Sequence, residues 1–545
     1  MSNERADLLI RAGVIHTLVP GQGPQRALAV RGDRIAAVSE DPNGLDDWVT
    51  GDTVVLDHPD ATVLPAFDDT HTHLIIAANS AHDVPVHTAR DIPELLELIR
   101  ERARQTPPGQ WIRTTANWQE INLPERRFPT ARELDSATDK HPVLLMRGGH
   151  NIVVNSAALE LAGITAATPN PAGGHIGRDA DGALNGWLQD NAIPLVARLL
   201  PAATAAQRID GFRTATQDYA AKGIGAVRDA MVPVGDLPVL QAALDAGALR
   251  VRVRVMASAL GLQTVDAVEE LLDRLEEWRY LPGPWLSVWG VKFGLDGGIE
   301  AGATREPYAC DHAFHGYLTW EPEVLVEAMD RVLRRGWRIG THAYGDRAVE
   351  RLLDVYAALR TRHPELPAGT LVMEHGGLAD DELRARAVAM GIPVTIQQPL
   401  LHDVARIEDT YWGPERVDRL FPARGWIDRG ALVTGGSDYP VGAYGAMRSV
   451  WGMVTRETVT GVRGPEHAIT AAEAITLHTT NAVALLGESD TRGLLAPGRL
   501  ADLTLWPLDP TTAPARQLQD LQPTHTVIGG RLIHGEVQPP GSIAV

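Results

Sequence analysis

The stretch TVLPAFDDTHTHL, residues 62–74, places two histidines one residue apart directly after a short β-branched and apolar run. Side chains at positions i and i+2 of a strand point to the same face, so His71 and His73 could offer two imidazole nitrogens to one metal ion if the strand reaches them. In a chain with 19 histidines such a pair also arises by chance, and two surface imidazoles are the alternative. A metal site therefore needs further ligands elsewhere in the chain.

Short apolar runs alternate with amphipathic segments through the middle of the chain, for example AVEELLDRLEEW (267–278), PEVLVEAMDRVLRRG (322–336) and DDELRARAVAMG (380–391). Alternation of strands and helices is typical of a parallel α/β sheet or barrel. Eight runs qualify as barrel strands, namely 62–67, 224–228, 250–256, 287–293, 338–342, 370–374, 393–397 and 431–436. The sequence thus predicts an α/β protein with a distorted (β/α)8 TIM barrel over 62–487.

The two ends of the chain and one long insertion complete the predicted architecture. Residues 1–61 and 488–545 both carry short apolar runs separated by turn signals, so we expect the termini to pair into one small β-sandwich. Residues 80–215 lie between the first and second predicted barrel strands and include a helix-like segment, IPELLELIRERAR. Barrel insertions lie where loops can cover the catalytic mouth, so we expect a substrate lid. A subdomain without that role is the alternative.

Composition restricts the partners and the location. A formal net charge of −19 without any basic run argues against nucleic acid as a partner. No stretch approaches the roughly 20 apolar residues that a membrane span requires, and the start, MSNERADLLIRAG, lacks the apolar core of a signal peptide. We therefore expect a cytoplasmic protein without a membrane partner. Cys310 is the only cysteine, which excludes an intrachain disulfide and a zinc site built from several cysteines.

Five of the predicted strand ends carry residues of metal-binding type, at the edge where barrel enzymes place their chemistry. After His71 and His73 on the first strand, these are Lys292 in GVKFGLDGG, His342 in IGTHAYGD, His375 in LVMEHGG and Asp438 in VTGGSDYP. Each alone has an ordinary explanation, such as a hydrogen-bonded polar residue or, for Asp438, a helix N-cap. Lys292 is one of only three lysines among 50 basic residues, and an amine, unlike a guanidinium, can become a neutral nucleophile. Together they predict a metal site.

The order HxH, Lys, His, His, Asp, followed by APGRLADLTLW near the end, resembles the amidohydrolase superfamily over nearly the whole chain. Longer motifs resemble its family 3 branch, which includes N-substituted formamide deformylases: VLLMRGGHNIVVNSAALELAG, NPAGGHIGRDADGALNGW, VKFGLDGG, THAYGDRAV, MEHGGL and GGSDYPV.

The resemblance implies a ligand set and a mechanism. His71, His73 and Asp438 would hold one divalent metal ion, His342 and His375 a second, and Lys292, carboxylated on its amine by carbon dioxide, would bridge both. One metal ion is the fallback if Lys292 stays unmodified, and zinc is the expected metal in either case. Asp438 would be the catalytic base that moves a proton from water to the leaving nitrogen. Asp69 would either orient a ligand or close a turn.

The insertion supplies the expected substrate contacts. Arg147 and His150 match the family's R..H pair and would contact a carbonyl or carboxylate of the substrate, with internal hydrogen bonding as the alternative. Trp118 and Asp190 are further candidates, Asp190 standing where relatives carry a glutamate. The segment CDHAFHG (310–316) also gathers Cys310, His312 and His315, but we expect a loop there and not a second metal site.

These observations predict a metal-dependent hydrolase that cleaves the C–N bond of an amide or N-substituted formamide in a small organic molecule with an apolar or aromatic part. A deaminase, a cyclic-amide hydrolase or a metal-assisted lyase or isomerase on the same fold is the first alternative. A non-catalytic scaffold is the second. A homodimer is the expected assembly on general frequency alone.

Overall fold

The computed structural model describes residues 5–148, 151–281 and 283–537, and its largest feature is a nearly closed barrel of parallel strands. The eight strands, numbered in chain order, are β1 Phe67–Thr72, β2 Ile224–Val232, β3 Arg252–Ser258, β4 Leu286–Gly294, β5 Arg338–Ala343, β6 Leu371–His375, β7 Val394–Ile396 and β8 Val433–Gly435. Each strand pairs with the next. The hydroxyls of Thr70 and Thr434 lie 2.8 Å apart between β1 and β8 and connect these two strands.

The first predicted barrel strand, 62–67, is wrong, whereas the other seven predicted runs overlap the observed strands. Residues 62–65 end the strand Val54–Pro65, which belongs to another sheet, and the barrel strand starts only at Phe67. The chain leaves one sheet and enters the other at Ala66, and both sides of this junction are apolar and buried. A continuous apolar run therefore concealed the boundary. As a result, His71 lies within β1 and His73 just beyond its end.

Helices follow the barrel strands, and their sequences explain their bounds. The helix Val265–Glu276 begins after Thr264, whose side chain accepts a hydrogen bond from the Ala267 N–H, and it buries leucines and valine at helical spacing. The other helices of eight residues or more around the barrel are Ala205–Ala221, Leu237–Asp245, Pro322–Arg334, Asp346–Arg362, Asp381–Ala389, Gln398–Trp412, Ala446–Thr455 and Ala471–His478. Shorter ones are Leu74–Asn79, Pro414–Val417, Ala423–Ile427, Thr480–Leu486 and Ala515–Leu518.

Both termini contribute strands to one seven-stranded sheet; the sequence predicts a small β-sandwich made from the two ends. Its strands are Leu8–Ile15, Gln25–Arg31, Arg34–Ser39, Val54–Pro65, Leu503–Trp506, His525–Ile528 and Arg531–His534. The 12-residue strand Val54–Pro65 joins the two halves, because it pairs in parallel with Leu8–Ile15 and antiparallel with Leu503–Trp506. Side chains of both halves pack into one apolar core.

A second compact unit consists of Ile76–Gly211 with Tyr439–Gly442. Its five-stranded sheet has the spatial order Ile112–Arg113, Val143–Arg147, Asn151–Val154, Leu184–Asp190 and Gly174–Arg178, and its helices are Ile92–Gln105, Ala131–Ala137, Ser156–Leu161 and Pro194–Ala197. That this insertion acts as a lid stays a prediction. None of the helices within the described ranges is long and apolar enough to cross a bilayer.

A buried ion pair ties the C-terminal part of the chain to β1. Arg492 donates from its two Nη atoms to the two carboxylate oxygens of Asp68 at 2.7 and 2.8 Å, and from Nε to Glu488 at 2.5 Å. The side chains of Arg492 and Asp68 are 3% and 2% exposed. Two parallel charge-assisted bonds of this kind are strong and directional. The pair therefore fixes where β1 enters the barrel.

Replacing Arg492 with methionine (R492M) should lower the free energy of unfolding by about 3–5 kcal/mol, because it leaves the Asp68 carboxylate buried without its cation. Chemical denaturation followed by fluorescence measures the change. The matched substitution R104M removes an exposed arginine that pairs with Glu97 and Glu101, and it should change stability by less than about 0.5 kcal/mol. Equal effects of the two substitutions would contradict the role given to Arg492.

Candidate metal centre

Three predicted ligands meet where β1 and β8 end. The Nε2 atoms of His71 and His73 lie 3.3 and 2.9 Å from Oδ1 of Asp438. One ligand atom of each residue lies within 4.8 Å of the other two. Two imidazole nitrogens and a carboxylate oxygen at such spacing form a donor set suited to zinc or a similar divalent cation. The i, i+2 arrangement of the histidines thus brings both rings to one point.

The local backbone explains how Asp438 reaches this point. Its N–H donates to the carbonyl oxygen of His71 at 2.8 Å, so β1 holds the chain just after β8. Asp438 has a φ of 55° and His375, at the end of β6, a φ of 73°, both in the left-handed region. Such conformations cost about 1–3 kcal/mol at a non-glycine residue and persist only where the surroundings impose them. Gly436 is required nearby, because an added Cβ would lie 2.7 Å from the His71 nitrogen.

His342, His375 and Lys292 lie beside these three residues. The ring centroid of His375 is 4.7 Å from that of His71 and 4.3 Å from that of His342. Burial lowers the pKa of His342 to about 3 and the pKa of His375 well below its ordinary value, so both rings are neutral. Neutral imidazole is the form that binds metals. His342 and His375 therefore lie next to His71 in a form that can bind a metal, whereas the described ligand atoms within 4.8 Å of one another are those of His71, His73 and Asp438.

Buried polar atoms without partners mark the same place. Nδ1 of His73, Nδ1 of His375 and Nζ of Lys292 have no hydrogen-bonding partner among the described residues. Burial lowers the pKa of the Lys292 amine to about 8. Buried polar groups are almost always paired in folded proteins, so unpaired nitrogens gathered in one site indicate a missing ligand. The donor set and these unpaired atoms fit a bound cation.

Glu374, on β6, orients the first histidine. Its Oε2 lies 2.6 Å from Nδ1 of His71, and both side chains are at most 1% exposed. Arg228 on β2 donates from one Nη to both oxygens of Glu374, at 2.8 and 2.9 Å, and Thr395 donates its hydroxyl to Oε2 at 2.8 Å. Burial alone would raise the pKa of Glu374, but Arg228 and His71 hold it well below its ordinary value. The ionised carboxylate keeps the proton on Nδ1 and leaves Nε2 free to coordinate.

Two aspartates hold the loops around the site. Asp69 accepts hydrogen bonds from the Ser437 N–H at 2.9 Å, the Ser437 hydroxyl at 2.6 Å and the His71 N–H at 3.3 Å, and burial raises its pKa to about 7. It thus ties β1 to the segment that carries Asp438. Asp296, after β4, accepts from three backbone N–H groups, including that of Tyr344 at 3.0 Å, and its Oδ1 is 3.5 Å from Nε2 of His342.

Sequence reasoning missed Glu374, Arg228 and Asp296. Two of them stand in the motifs MEHGG and GLDGG, close to a histidine and a lysine that are the more obvious metal ligands. Arg228 was detectable as a charged residue inside the apolar run of a central strand, since arginine is almost never fully buried without a partner. What the sequence could not show is that Glu374 faces His71, that Arg228 faces Glu374 and that Asp296 lies beside His342.

The predicted substrate contacts all lie in the insertion. Arg147 donates to both oxygens of Glu120 at 2.7 and 3.0 Å, and Trp118 donates from its indole to the Met146 carbonyl oxygen at 2.7 Å. Asp190 ends a strand with a φ of 48°. The predicted role of His150 concerns a residue outside the described ranges. Their contacts with substrate stay predictions.

The segment with Cys310, His312 and His315 does not form a second metal cluster. Cys310 and His312 are exposed and His315 is partly buried, and the one group of potential ligands found in the described part of the chain is that of His71, His73 and Asp438.

Comparison with known proteins agrees with this geometry. The model of the Amidohydrolase family matches residues 55–534. An N-substituted formamide deformylase of Arthrobacter pascens is 29% identical over 96% of this chain and 98% of its own length, and a putative amidohydrolase of Bacillus subtilis strain 168 is 29% identical over 87% and 89%. An uncharacterized metal-dependent hydrolase of Pyrococcus horikoshii has a similar fold, with a TM-score of 0.73 at 22% identity, covering 93% of this chain and 99% of that one.

Glu374→Gln should lower the affinity for zinc about 10- to 100-fold, because the neutral amide no longer holds the proton on Nδ1 of His71. Competition with a fluorescent chelator measures the affinity. Glu408→Gln is the matched control: it changes a second fully buried glutamate that bonds a tyrosine, Tyr344, and no histidine. Unchanged zinc affinity in E374Q would contradict the orienting role.

Glu408 also gives a pH dependence of stability. Burial raises its pKa to about 8. The unfolded chain loses this proton near the ordinary pKa and the folded protein only near pH 8, so folding binds a proton between these values and stability falls as the pH rises through them. Because E408Q has no proton to lose, its stability relative to the wild type should increase from pH 5 to pH 9 by a few kcal/mol. Thermal unfolding from pH 5 to pH 9 measures the stability of both proteins. A stability difference that stays constant with pH would contradict the raised pKa of Glu408.

Proposed function

The chain belongs to the Amidohydrolase family, and from that premise we propose that it uses a divalent cation to hydrolyse the C–N bond of a small N-substituted formamide or related amide. Membership makes it a hydrolase of carbon–nitrogen bonds other than peptide bonds. The observation that carries the proposal is the convergence of His71, His73 and Asp438 within 4.8 Å beside unpaired, buried nitrogens. The formamide is favoured because the similar protein of Arthrobacter pascens is an N-substituted formamide deformylase and the match covers nearly both chains.

We propose zinc as the cation, with His71, His73 and Asp438 as its ligands. When bound, such a cation lowers the pKa of water and polarises a carbonyl oxygen, which allows amide hydrolysis at neutral pH. The protein supplies the geometry: Glu374 orients His71, Asp69 anchors the segment of Asp438, and burial excludes bulk water. His342 and His375 are the proposed ligands of a second cation.

Lys292 would help to hold the two cations if its amine reacted with carbon dioxide. Support comes from its burial, from the absence of any hydrogen-bonding partner for Nζ among the described residues, and from a pKa that burial lowers to about 8. An amine with a lowered pKa is neutral more often and can attack carbon dioxide. The N–C bond forms as the amine nitrogen releases one proton to solvent, and the resulting carbamate would offer two oxygens in place of one nitrogen.

Asp438 is the proposed proton carrier. Burial would raise the pKa of Asp438, but its hydrogen bonds with His71 and His73 hold it well below its ordinary value, so the carboxylate is ionised. An ionised carboxylate can accept a proton from the attacking water and pass it to the leaving nitrogen. The same group at a deaminase or lyase site would move protons too. The products therefore distinguish these reactions.

Incubation with a panel of N-alkyl and N-arylalkyl formamides should release formate and the corresponding amine in equal amounts. Coupled formate oxidation and amine derivatisation measure the two products. Release of ammonia alone from amino-substituted heterocycles would favour deamination, and the absence of turnover on every amide would overturn the formamide proposal.

Chelation followed by gel filtration should reduce this activity to background, and added zinc should restore it.

Asp438→Asn should lower kcat about 100- to 10,000-fold, because a general acid–base catalyst is lost. A variant with alanine at Cys310, His312 and His315 is the control and should keep full metal content and activity. Loss of metal from that variant would revive the second cluster as the metal site.

A further inference from the structure

Gln397 is a buried polar residue directly after β7. Its side chain is 0% exposed. Its Nε2 lies 3.1 Å from the carbonyl oxygen of Thr395 and 2.9 Å from the Thr395 hydroxyl, whereas its Oε1 has no hydrogen-bonding partner among the described residues. An unpaired, fully buried carbonyl oxygen costs folding free energy unless a ligand pairs with it.

The orientation of this carboxamide is fixed by its partners. The backbone carbonyl of Thr395 can only accept, so the atom that faces it must be the NH2 group. The Thr395 hydroxyl donates its single hydrogen to Glu374, so it must accept from Gln397. A flipped amide would place an oxygen against both acceptors. Oε1 is therefore the free atom, and it can only accept a hydrogen bond.

The position of Gln397 in the barrel relates it to the metal centre. Glu374, on β6, meets Arg228 of the non-adjacent strand β2, so this contact lies inside the barrel. Thr395 bonds Glu374 there, and Gln397, two residues further along, bonds Thr395 and lies nearer to the carboxyl end of the strands.

The register of the neighbouring strands brings Gln397 between two ligand-bearing strand ends. Thr395 pairs with Glu374 on β6, and Ile396 pairs with Gly435 on β8. The next positions on those strands are His375 and Gly436, and the Gly436 N–H donates to the Ile396 carbonyl oxygen at 3.0 Å. Gln397 thus stands between the strand end that carries His375 and the segment that leads to Asp438.

From this placement we infer that Oε1 of Gln397 accepts a hydrogen bond from the N–H of the scissile amide and makes the site selective for substrates that carry that hydrogen. The inference rests on the proposed function and narrows it to N-monosubstituted formamides and other secondary amides. A site with a buried acceptor discriminates against analogues without the hydrogen, because the acceptor is then left unpaired.

The same contact serves the reaction itself. The leaving nitrogen gains a proton as the C–N bond breaks, and a charged N–H donor makes a stronger hydrogen bond than a neutral one. Gln397 would therefore bind the nitrogen more tightly late in the reaction than in the bound substrate, which is the condition for a faster chemical step. Gln397 positions the nitrogen, while Asp438 moves the proton.

Gln398 provides a matched control in the next position. It is also 0% exposed, and its Oε1 is likewise without a partner among the described residues. Its Nε2, however, faces the carbonyl oxygen of Gly452 in the helix Ala446–Thr455, away from Thr395. Methionine has nearly the shape of glutamine and no acceptor of comparable strength, so Q397M and Q398M remove one buried carboxamide each at similar cost to packing.

The experiment compares kcat/KM of the zinc-loaded wild type, Q397M and Q398M on two substrates. One is the formamide of the panel that the wild type turns over best, and the other is the formate ester with the same substituent, in which oxygen replaces the N–H without added bulk. Both substrates release formate, so the same formate assay measures the hydrolysis of each. The intrinsic reactivities cancel when the amide-to-ester ratio of each variant is divided by that of the wild type.

Q397M should lower the amide-to-ester ratio about 10- to 100-fold, the effect of one hydrogen bond to a buried acceptor, with most of the loss on the amide. Q398M should keep the wild-type ratio. Thermal midpoints and zinc content identify a variant that is merely misfolded, since such damage lowers both activities alike and leaves the ratio unchanged. An unchanged ratio in Q397M overturns the inference while the hydrolase function stands. Failure of the wild type on every formamide overturns the proposed function and the inference together.

Discussion

The carboxylate of Glu374 is the group on which the rest of the site depends. It lies inside the barrel with no exposure to water and binds Arg228, Thr395 and the Nδ1 nitrogen of His71 at once. An isolated buried carboxylate would take up a proton; the guanidinium of Arg228 prevents this. As long as the charge remains, His71 has one tautomer and one orientation. Four strands of the barrel, β1, β2, β6 and β7, are thereby held in a single geometry.

Arg228 is held in turn by groups that cannot easily move. Its Nε donates to the Thr70 carbonyl oxygen at 2.6 Å, and its guanidinium lies 4.4 Å from the centre of the Trp289 ring. A cation against an aromatic face is favourable when water is excluded, which offsets part of the cost of burying the charge. The ion pair of Arg228 and Glu374 therefore contributes little to stability, but it fixes the position of the Glu374 carboxylate. Gly340 of β5 belongs to the same arrangement, because an added Cβ would lie 2.4 Å from a Glu374 oxygen.

Asp69 joins two segments of the metal centre through hydrogen bonds to their backbone. Asp69 bonds the backbone of His71 and both the backbone and the hydroxyl of Ser437, so the strand with two histidines and the segment with Asp438 are joined by one side chain. Removing water from these groups raises the pKa of Asp69, and the bonds it accepts oppose that rise. Precision at the site therefore comes from several buried, mutually oriented polar groups and not from the ligands alone.

The sequence by itself determined the barrel, and it predicted the pairing of the termini and the six residues of the candidate centre, because alternating apolar periodicity and polar residues at strand ends are local signals. It misplaced the first strand, since the apolar residues on both sides of Ala66 give no sign that one sheet ends and another begins. Only the tertiary structure decided that Glu374 faces His71, that Lys292 has no partner among the described residues, and that Gln397 keeps one free acceptor. These facts depend on contacts between strands that are far apart in the chain. A sequence pattern shows which side chains a strand carries, but it does not show which residues of other strands those side chains will contact.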